Sequence, residues 1–532
     1  MIKIFFKYLI FDPKKILKFI IKSFFLDQYQ KKFKEHNYKI WKNWKINNTK
    51  NIILVDSFFI PEWIISSTYF VNVLAKKENA KIFTFSQNKI YDFTKFRYSY
   101  NVEKNIVVKL NSNQKNELQK LYFHLHKFVK TKKELLDYEI EGVGIGVDIY
   151  ESYLKNGKPT IDFDDTIFWK TVELGITNYI FWRDFFKLNN VKGVLVSHDC
   201  YIDMNILCKI AYKKDIRVFL TNARGLHRSN SQYSIYEDRF NNYKSRFKTL
   251  SLDDQRKAIT WSKSQLKKKL SGEVGVDAAY SLASSFQLNS NLNKKNFFDK
   301  NNKTKVLIAT HCFFDNPHSY GRLLFTDFYE WLVFLCKISK ETNYDWYIKP
   351  HPDYLPGTIE IINSIIEQKS DIKLIDPQAS FHDLKKEGLS WVITGFGSVG
   401  HELPLLDINV INCGPNPHVS YDFNWNPKTI EELKNILLNL KTLSKKIDKD
   451  EIYEFYYMYK FSDFLDNFIF NSYYKMLDEQ GIGLTSKTYQ YFLNEYNDDK
   501  HQKIIEQIQI FLKQKSNLSF ISHDFIKNKI NL

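Results

Sequence analysis

Basic, hydroxyl and acidic side chains recur directly after predicted strands in the second half of the chain. Lys349-Pro350-His351-Pro352 follows one such strand, and Gly395-Phe396-Gly397-Ser398-Val399-Gly400-His401-Glu402 follows another. In a doubly wound sheet, ligands bind beyond the carboxyl ends of the strands, so these side chains are expected to lie close together. Because glycine lets the backbone approach a ligand, and serine and helix N-terminal amides donate hydrogen bonds, the pattern predicts a phosphate-binding site.

Two of these residues have more specific expected roles. His351 stands between two prolines, and a rigid imidazole at a strand end suits a phosphate oxygen, as a hydrogen-bond donor or as a proton source. Glu402 falls one turn after Ser398, where its carboxylate can accept from ribose or sugar hydroxyls. The structural alternative is tight helix–strand packing with Ser398 as an ordinary helix N-cap.

The same glycines formally match the dinucleotide fingerprint Gly395-x-Gly397-x-x-Gly400. That motif normally follows the first strand of its domain and is followed, at the end of the next strand, by an acidic residue for the ribose. Here it follows the fourth strand, and the next strand ends in Asn412-Cys413. We therefore expect no resident cofactor.

The elements that must position these residues alternate between short apolar strands and helices, a pattern typical of parallel sheets. Strands are predicted in the first half at 51–55, 81–85, 106–110, 193–197 and 217–221, and in the second half at 305–310, 345–348, 372–375, 391–394 and 409–412. Helices are predicted at 64–76, 114–130, 168–188, 203–212, 323–339, 358–368, 381–386 and 430–440, with a short one from 398. A polar segment at 287–304 suggests a linker.

Residues 346–352, 394–406 and 409–411 together resemble the "HP … S … E … P-V-I" signature of GT-B glycosyltransferases that build bacterial surface carbohydrates. The nearest such proteins are capsule polysaccharide biosynthesis proteins of the Kdo-transferase type, and CDP-glycerol polyglycerophosphate transferases are related. The resemblance implies an α/β GT-B fold, with two Rossmann-like domains facing a cleft, an N-terminal amphipathic helix and C-terminal helices. The expected domains are 1–48, a membrane-associating segment; 49–290, the acceptor domain; 303–450, the donor domain; and 451–532, C-terminal helices.

The resemblance also implies roles for individual residues. The donor nucleotide would be held by one group of residues: Lys349, His351, Gly395, Gly397, Ser398 and Glu402. The first domain would supply the acceptor site and the catalytic base, for which Asp148 and His198 are the leading candidates. Asp148 is slightly favoured because it follows the glycine-rich segment 142–146. Weaker candidates in that half of the chain are Asp56, Glu151, Ser197 and Asp199, while Arg224, His227 and Arg228 could clamp a phosphate.

Metal chemistry is not expected. Asp162-Phe163-Asp164-Asp165 looks like the metal motif of GT-A transferases, but it lies between helical segments and is interpreted as a surface turn. A GT-B enzyme can stabilise the leaving phosphate with helix dipoles, histidine and basic side chains instead. The donor is expected to be a nucleotide-sugar, CMP- or UDP-linked, acting as a substrate.

Charge and cysteine usage suggest where such an enzyme works. The chain of 532 residues carries a net charge of +17, and residues 1–46 hold twelve lysines against three acidic residues, interleaved with apolar and aromatic ones. A basic amphipathic segment of this kind is typical of binding to an anionic membrane surface. The alternative is a solvated helix packed on the protein body. Five isolated cysteines without a CxxC pair fit a reducing compartment. We therefore expect a cytoplasmic protein, peripheral on the inner face of the cell membrane and without nucleic acid as a partner.

The leading hypothesis is a glycosyltransferase that moves a sugar from a nucleotide-sugar donor to a lipid-linked, oligosaccharide or other surface-glycan acceptor. Three alternatives stay open. They are a phosphotransferase using a CDP-linked polyol, an enzyme similar to nucleotide-sugar 2-epimerases, and a non-catalytic scaffold of glycan assembly.

Overall fold

The computed structural model describes residues 26–513 except for 59, 87–93, 230–239, 275, 277–282, 289–295, 319–320, 353, 370, 462–467, 472–475 and 477–484. The first 25 residues of the predicted membrane-associating segment thus lie outside the described residues. Contacts divide the chain into two compact units. Unit 1 contains residues 1–156, 161–235 and 463–521, and unit 2 contains 157–160, 236–462 and 522–532.

Unit 1 is built on a six-stranded sheet with the order β3-β2-β1-β6-β7-β8, and a short hairpin of β4 and β5 lies apart from it. The sheet pairs are parallel except for β7 with β8. Central strands such as β1 are buried on both faces, which explains their continuous apolar sequence. The strands are β1 (Asn51–Asp56), β2 (Lys81–Ser86), β3 (Val102–Val107), β4 (Glu139–Ile140), β5 (Val143–Gly144), β6 (Asn190–Val196), β7 (Val218–Thr221) and β8 (Leu226–Ser229).

The helices predicted at 64–76, 114–130, 168–188 and 203–212 are found within three residues of those positions, whereas the helices at Thr94–Arg97, Lys132–Leu136 and Gly146–Leu154 match no predicted one. A π-helix at Tyr201–Asn205 leads into α8, within the segment predicted as a helix at 203–212. The helices are α1 (Gln28–Trp41), α2 (Pro61–Glu78), α3 (Thr94–Arg97), α4 (Ser112–Phe128), α5 (Lys132–Leu136), α6 (Gly146–Leu154), α7 (Thr166–Leu188) and α8 (Ile206–Lys213), with 3-10 turns at Lys42–Trp44 and Tyr98–Tyr100.

Unit 2 contains a five-stranded parallel sheet with the order β11-β10-β9-β12-β13. Its strands are β9 (Lys305–Ala309), β10 (Asp345–Lys349), β11 (Lys373–Leu374), β12 (Leu389–Thr394) and β13 (Asn409–Asn412). Its helices are α9 (Tyr243–Phe247), α10 (Leu252–Leu270), α11 (Phe328–Lys340), α12 (Thr358–Lys369), α13 (Phe381–Lys386), α14 (Val399–Glu402), α15 (Ile430–Leu438) and α16 (Lys449–Phe461), with a 3-10 turn at Leu403–Leu406. The α/β fold class is confirmed: the chain holds the two Rossmann-like sheets expected of GT-B.

The largest shifts from the predicted bounds occur in one strand and one helix. The strand predicted at 106–110 is β3, which lies at Val102–Val107. The helix predicted from residue 323 begins after Asp327, whose carboxylate accepts from the Glu330 amide at 2.8 Å. An aspartate in this position satisfies a free helix N-terminal amide, so it stops the helix from extending backwards through an otherwise apolar segment.

The unit boundaries differ from the predicted domain bounds. The predicted linker at 287–304 lies inside unit 2, where Phe286 and Phe298 join its core. The last two helices of the described residues, α17 (Lys487–Glu495) and α18 (Asp498–Lys513), belong to unit 1. Tyr489 of α17 stacks on Phe33 of α1 with ring centroids 4.7 Å apart. The chain therefore returns to its first unit, because the aromatic face of its last helices is buried there.

Within the part of the chain that the structure describes, no helix combines the length and the apolar character needed to cross a membrane.

Candidate functional site

A cavity of about 760 Å³ opens at the carboxyl edge of the unit 2 sheet. Five of the six predicted donor-binding residues line it: Lys349, His351, Gly397, Ser398 and Glu402. They come from the segments after β10 and β12, as expected for adjacent carboxyl ends of parallel strands. The structure thus brings together residues about fifty positions apart in the sequence.

Lys349 and His351 differ sharply in exposure. The Lys349 side chain is 2% exposed, and its Nζ donates to the Pro377 carbonyl at 2.8 Å. Burial lowers the pKa of this lysine to about 7. His351, two residues later, is exposed at the cavity wall. The first residue therefore provides a fixed buried nitrogen, and the second provides an imidazole that a ligand can reach.

Two glycines of the 395–400 loop leave space for neighbouring aromatic rings of the protein. A Cβ on Gly395 would lie 2.8 Å from Phe328 Cε1, and a Cβ on Gly400 would lie 2.4 Å from His418 Cε1. Both distances are shorter than real Cβ contacts, so each glycine makes room for a neighbouring ring. Gly395 is buried and does not line the cavity, which corrects the binding role expected for it.

Ser398 and Glu402 depart from the expected roles in different ways. Ser398 is exposed and makes no side-chain cap, and α14 after it is a single turn, so little helix dipole is available there. Glu402 is buried and forms an ion pair with Lys269. Its carboxylate therefore already has a cationic partner, which limits its capacity to accept from ribose hydroxyls. The structural alternative, in which the loop serves tight packing, therefore holds for part of this loop.

Three histidines not assigned to the predicted binding set also line the cavity: His311, His401 and His418. His311 Nε2 accepts from the Phe396 amide at 3.2 Å, and its ring stacks on Phe328 with centroids 4.9 Å apart. Burial lowers the pKa of His311 to about 4, so this ring is neutral near pH 7. It is thus an acceptor that fixes the glycine loop in position.

His401 and His418 form a buried pair, with Nδ1 of His401 3.2 Å from Nε2 of His418. Burial lowers the pKa of His418 to about 3. His401 stands inside the motif after β12 and Pro417-His418 comes soon after β13, but no local pattern shows that the two rings meet.

A second group of polar residues lies at the carboxyl edge of the unit 1 sheet. Asp56 ends β1, and Ser197 and His198 follow β6, the strand that pairs with β1. Asp56 Oδ2 accepts from both the amide and the hydroxyl of Ser197, each at 2.7 Å. Ser197 Oγ lies 2.7 Å from His198 Nδ1. The three side chains therefore form a continuous hydrogen-bonded chain from a buried carboxylate to a partly exposed imidazole.

The direction of these hydrogen bonds determines which ring nitrogen of His198 carries the proton. When Ser197 donates its hydroxyl hydrogen to the Asp56 carboxylate, its oxygen can only accept from His198 Nδ1–H. The neutral ring then has an unprotonated Nε2, the state required of a general base. Burial lowers the pKa of His198 to about 4 and raises that of Asp56 to about 6. His198 is therefore neutral, and Asp56 mostly ionised, at pH 7.

The backbone just after His198 is strained. Tyr201 has φ of +65°, a left-handed conformation that is uncommon for a bulky residue, and the π-helix Tyr201–Asn205 begins there. Strained backbone and π-helices both concentrate at functional sites. The segment from Ser197 to Asn205 is accordingly the strongest candidate site of unit 1.

Asp148, the favoured base, is fully buried in unit 1. Its Oδ1 accepts from Asn205 Nδ2 and its Oδ2 from Lys209 Nζ, both at 2.8 Å. Both carboxylate oxygens thus have internal partners, and the ion pair connects α6 to the π-helix and α8. This corrects the expectation of a base that meets an acceptor: Asp148 is a structural residue that supports the segment carrying His198.

The glycine-rich approach to Asp148 also has a structural reason. Gly142 has φ of +71° in the turn between β4 and β5. A Cβ on Gly146 would lie 1.6 Å from the Leu135 carbonyl oxygen, so only glycine fits there. The segment is a tight hairpin and a packing contact.

Among the remaining candidates of the first half, Glu151 and Asp199 lie near the segment of His198, since the charges of both act on the Cys200 thiol. Glu151 and Asp199 are buried, and Arg228 stacks its guanidinium over the Phe511 ring at 5.5 Å. Asp165 caps α7 by accepting from the Ile167 amide at 2.8 Å, and Asp162 accepts from the Asp164 amide at 2.9 Å. The 162–165 segment is therefore a turn and a helix cap, as interpreted from the sequence. Among the described residues, no group of three or more metal-binding side chains is assembled.

No protein-family model matches the chain, and no curated protein matches it by sequence. Among solved structures it is similar to the beta Kdo 2,4 transferase KpsC from Thermosulfurimonas dismutans, with 12% identity, a TM-score of 0.28 and coverage of 50% of this chain and 79% of that one. It is also similar to the UDP-GlcNAc 2-epimerase from Neisseria meningitidis, with 12% identity, a TM-score of 0.20 and coverage of 87% and 100%. A glycosyltransferase from Rickettsia africae gives 11% identity, a TM-score of 0.21 and coverage of 88% and 100%. Since every TM-score here is low, we base the functional inference on the site residues.

Proposed function

We propose that this chain is a metal-independent GT-B glycosyltransferase that transfers a sugar from a CMP- or UDP-linked donor to a lipid-linked, oligosaccharide or other surface-glycan acceptor. One observation carries the proposal. Five of the six residues expected to hold the donor line a single cavity at the carboxyl edge of a Rossmann-like sheet. That edge is where doubly wound sheets bind nucleotides.

In this proposal, unit 2 holds the donor and stabilises the departing phosphate. His351 is exposed at the cavity wall and can donate to a phosphate oxygen, while Lys349 supplies buried positive charge. Preorganised donors in a partly enclosed site stabilise developing negative charge because they need little reorganisation during the reaction. Side chains of this kind provide the stabilisation that a metal ion gives in other transferases.

Unit 1 supplies the catalytic base in this proposal. The acceptor hydroxyl oxygen attacks the anomeric carbon, the bond from that carbon to the donor phosphate oxygen breaks, and the hydroxyl proton passes to His198 Nε2. Ser197 and Asp56 keep the other ring nitrogen protonated, through the 2.7 Å contacts described above. Of the two bases that the sequence left open, His198 is favoured because Asp148 is enclosed by Asn205 and Lys209.

We also propose that the enzyme is cytoplasmic and peripheral on the inner face of the membrane. Lys31, Lys39 and Lys42 of the α1 region are exposed, and the aromatic residues of α1 such as Phe33 and Trp41 are buried. The described part of the basic segment thus presents lysines outward, as electrostatic attraction to anionic lipids requires. The five cysteines are free thiols, consistent with a reducing compartment.

A thermal-shift screen against CMP, CDP, UDP and GDP tests the donor site. A ligand that binds only the folded state raises its stability by RT ln(1 + [L]/Kd), about 2.7 kcal/mol at one hundred times Kd. We expect a rise in Tm with CMP or UDP. Failure of all four nucleotides to raise the Tm would favour a non-catalytic scaffold, and epimerisation of a nucleotide-sugar without an acceptor would favour the epimerase alternative.

A further inference from the structure

Two threonine hydroxyls in the unit 2 cavity lack a hydrogen-bond partner among the residues that the structure describes. Thr310 follows β9 and Thr358 is the first residue of α12; they are 7% and 2% exposed. Both side chains line the cavity, and neither Oγ1 atom has a partner among the described residues. Buried hydroxyls are satisfied in most proteins, and these two are placed where a ligand in the cavity could supply the acceptors.

The start of α12 adds backbone donors at the same place. The first bond of the helix runs from the Ile361 amide to the Gly357 carbonyl at 3.2 Å, so the amides of Ile359 and Glu360 have no partner within the helix. A helix of 12 residues also places partial positive charge at its beginning. The side chain of Glu360 is exposed to solvent.

Lys349 lines the same cavity. The Thr310 amide donates to the Lys349 carbonyl at 3.3 Å, so the backbones of the two residues are adjacent. The Lys349 Nζ donates to the Pro377 carbonyl. Burial lowers the pKa of this lysine to about 7 while the charge of Asp376 raises it, so an anion bound in the cavity would favour the protonated ammonium form.

We propose that Thr310, Thr358 and Lys349 form an anion subsite that binds a phosphoryl group of the nucleotide, at the β9–β10–α12 side of the cavity. The nature of the ligand rests on the proposed function, whereas the subsite itself rests on these three side chains. The sequence pattern instead placed the phosphate at His351 and the Gly397–Ser398 loop. The helix after Ser398 is a single turn, so its dipole is weaker than that of the twelve-residue α12.

Calorimetric titration of the full chain with CMP, UMP, their nucleosides and inorganic pyrophosphate tests this subsite. Thr310→Val and Thr358→Val should each raise the Kd of the bound nucleotide about tenfold or more, because each removes a hydrogen bond to a charged group. The Kd of the parent nucleoside should not change. Thr358→Ser keeps the hydroxyl and should retain binding, which separates a lost donor from a damaged fold.

Thr326→Val is the matched control, because Thr326 has a buried hydroxyl without a partner but does not line the cavity. Its nucleotide Kd should equal that of the wild type. Wild-type affinity in both valine variants of the subsite would overturn the inference while leaving the proposed function intact. If pyrophosphate binds in a Thr310-dependent way but no nucleotide binds, the subsite stands and the proposed function fails. If neither binds, both are overturned.

Discussion

The carboxyl edges of the two sheets have the same topology and opposite chemistry. In unit 1, Asp56, Ser197 and His198 satisfy one another, and the partly exposed end of the chain is a neutral imidazole. In unit 2, the hydroxyls of Thr310 and Thr358 have no partner among the described residues, and Lys349 Nζ donates to a backbone carbonyl. The first edge therefore ends in an unprotonated ring nitrogen, and the second presents hydrogen-bond donors that an anion can use.

This difference shows that the sheet specifies where a site lies but not what it does. Both sheets place consecutive strands in the order third, second, first, fourth, fifth, so the same strand ends are adjacent in each. The first strand is followed by a buried carboxylate in unit 1, Asp56, and by a hydroxyl in unit 2, Thr310. The chemistry follows from the side chains at those equivalent positions.

The largest expected effect is on the proton-accepting edge. His198→Ala should lower kcat by about 10²- to 10⁴-fold, the usual contribution of a general base, and should leave the nucleotide Kd unchanged. Steady-state kinetics and calorimetry on one preparation measure both quantities. A loss of nucleotide affinity as large as the loss of kcat would show that His198 belongs to the donor site. It would also remove the contrast between the two sheet edges.

Asp148→Asn should destabilise unit 1, because it leaves Lys209 buried without its carboxylate partner. Breaking a buried ion pair costs about 3–5 kcal/mol. The free energy of unfolding in urea should fall accordingly, while kcat per folded molecule stays near that of the wild type. Lys209→Met combined with Asp148→Leu should recover much of the stability. A drop in kcat without a loss of stability would restore Asp148 as the base.

Lys349→Met should weaken nucleotide binding about tenfold to a hundredfold, because it removes a charged donor to phosphate. The Tm of the ligand-free protein at pH 6 should not fall, since the buried ammonium is replaced by an apolar group of similar length. Thermal shift with and without CMP or UDP measures both effects. A large fall in the ligand-free Tm would mean that Lys349 is structural.

A smaller effect is expected on the pH profile. Because Asp56 has a pKa of about 6, its protonation on acidification removes the acceptor that fixes the Ser197 hydroxyl, and kcat should fall below about pH 6. His198 itself is protonated only at lower pH, because burial lowers its pKa to about 4. The charge of Asp203 raises that pKa and the charge of Lys155 lowers it. Asp56→Asn should abolish this first step, and ¹⁵N NMR of His198 should show the Nδ1–H tautomer at pH 7. If the pH profile of kcat in Asp56→Asn equals that of the wild type, the proposed role of the Asp56–Ser197–His198 hydrogen bonds is contradicted.

The smallest effect is expected from chelation. EDTA should reduce turnover only slightly, because the proposal assigns phosphate stabilisation to His351 and Lys349. Complete inactivation that Mg²⁺ or Mn²⁺ reverses would indicate a metal site, with Asp162, Asp164 and Asp165 as its candidate ligands.

Periodicity and motif spacing predicted most of the fold. Short buried strands such as β1 and β12 are continuous apolar runs, and their positions follow from local sequence. The carboxyl end of each strand then follows as well, so local sequence is sufficient to place Lys349, His351 and Ser398 at one sheet edge. The unit boundaries were not predictable in this way, because the burial of Tyr489 against Phe33 joins opposite ends of the chain.

The sequence by itself thus determined the α/β class, the two parallel sheets and the edges at which side chains gather. Only the tertiary structure decided which of those side chains remain available to a ligand. Asp148 and Glu402 are taken by Lys209 and Lys269, which are 61 and 133 positions away in the chain. Such partners are brought together by packing and not by local periodicity. The same packing leaves the hydroxyls of Thr310 and Thr358 without a partner among the described residues, which no spacing rule predicts.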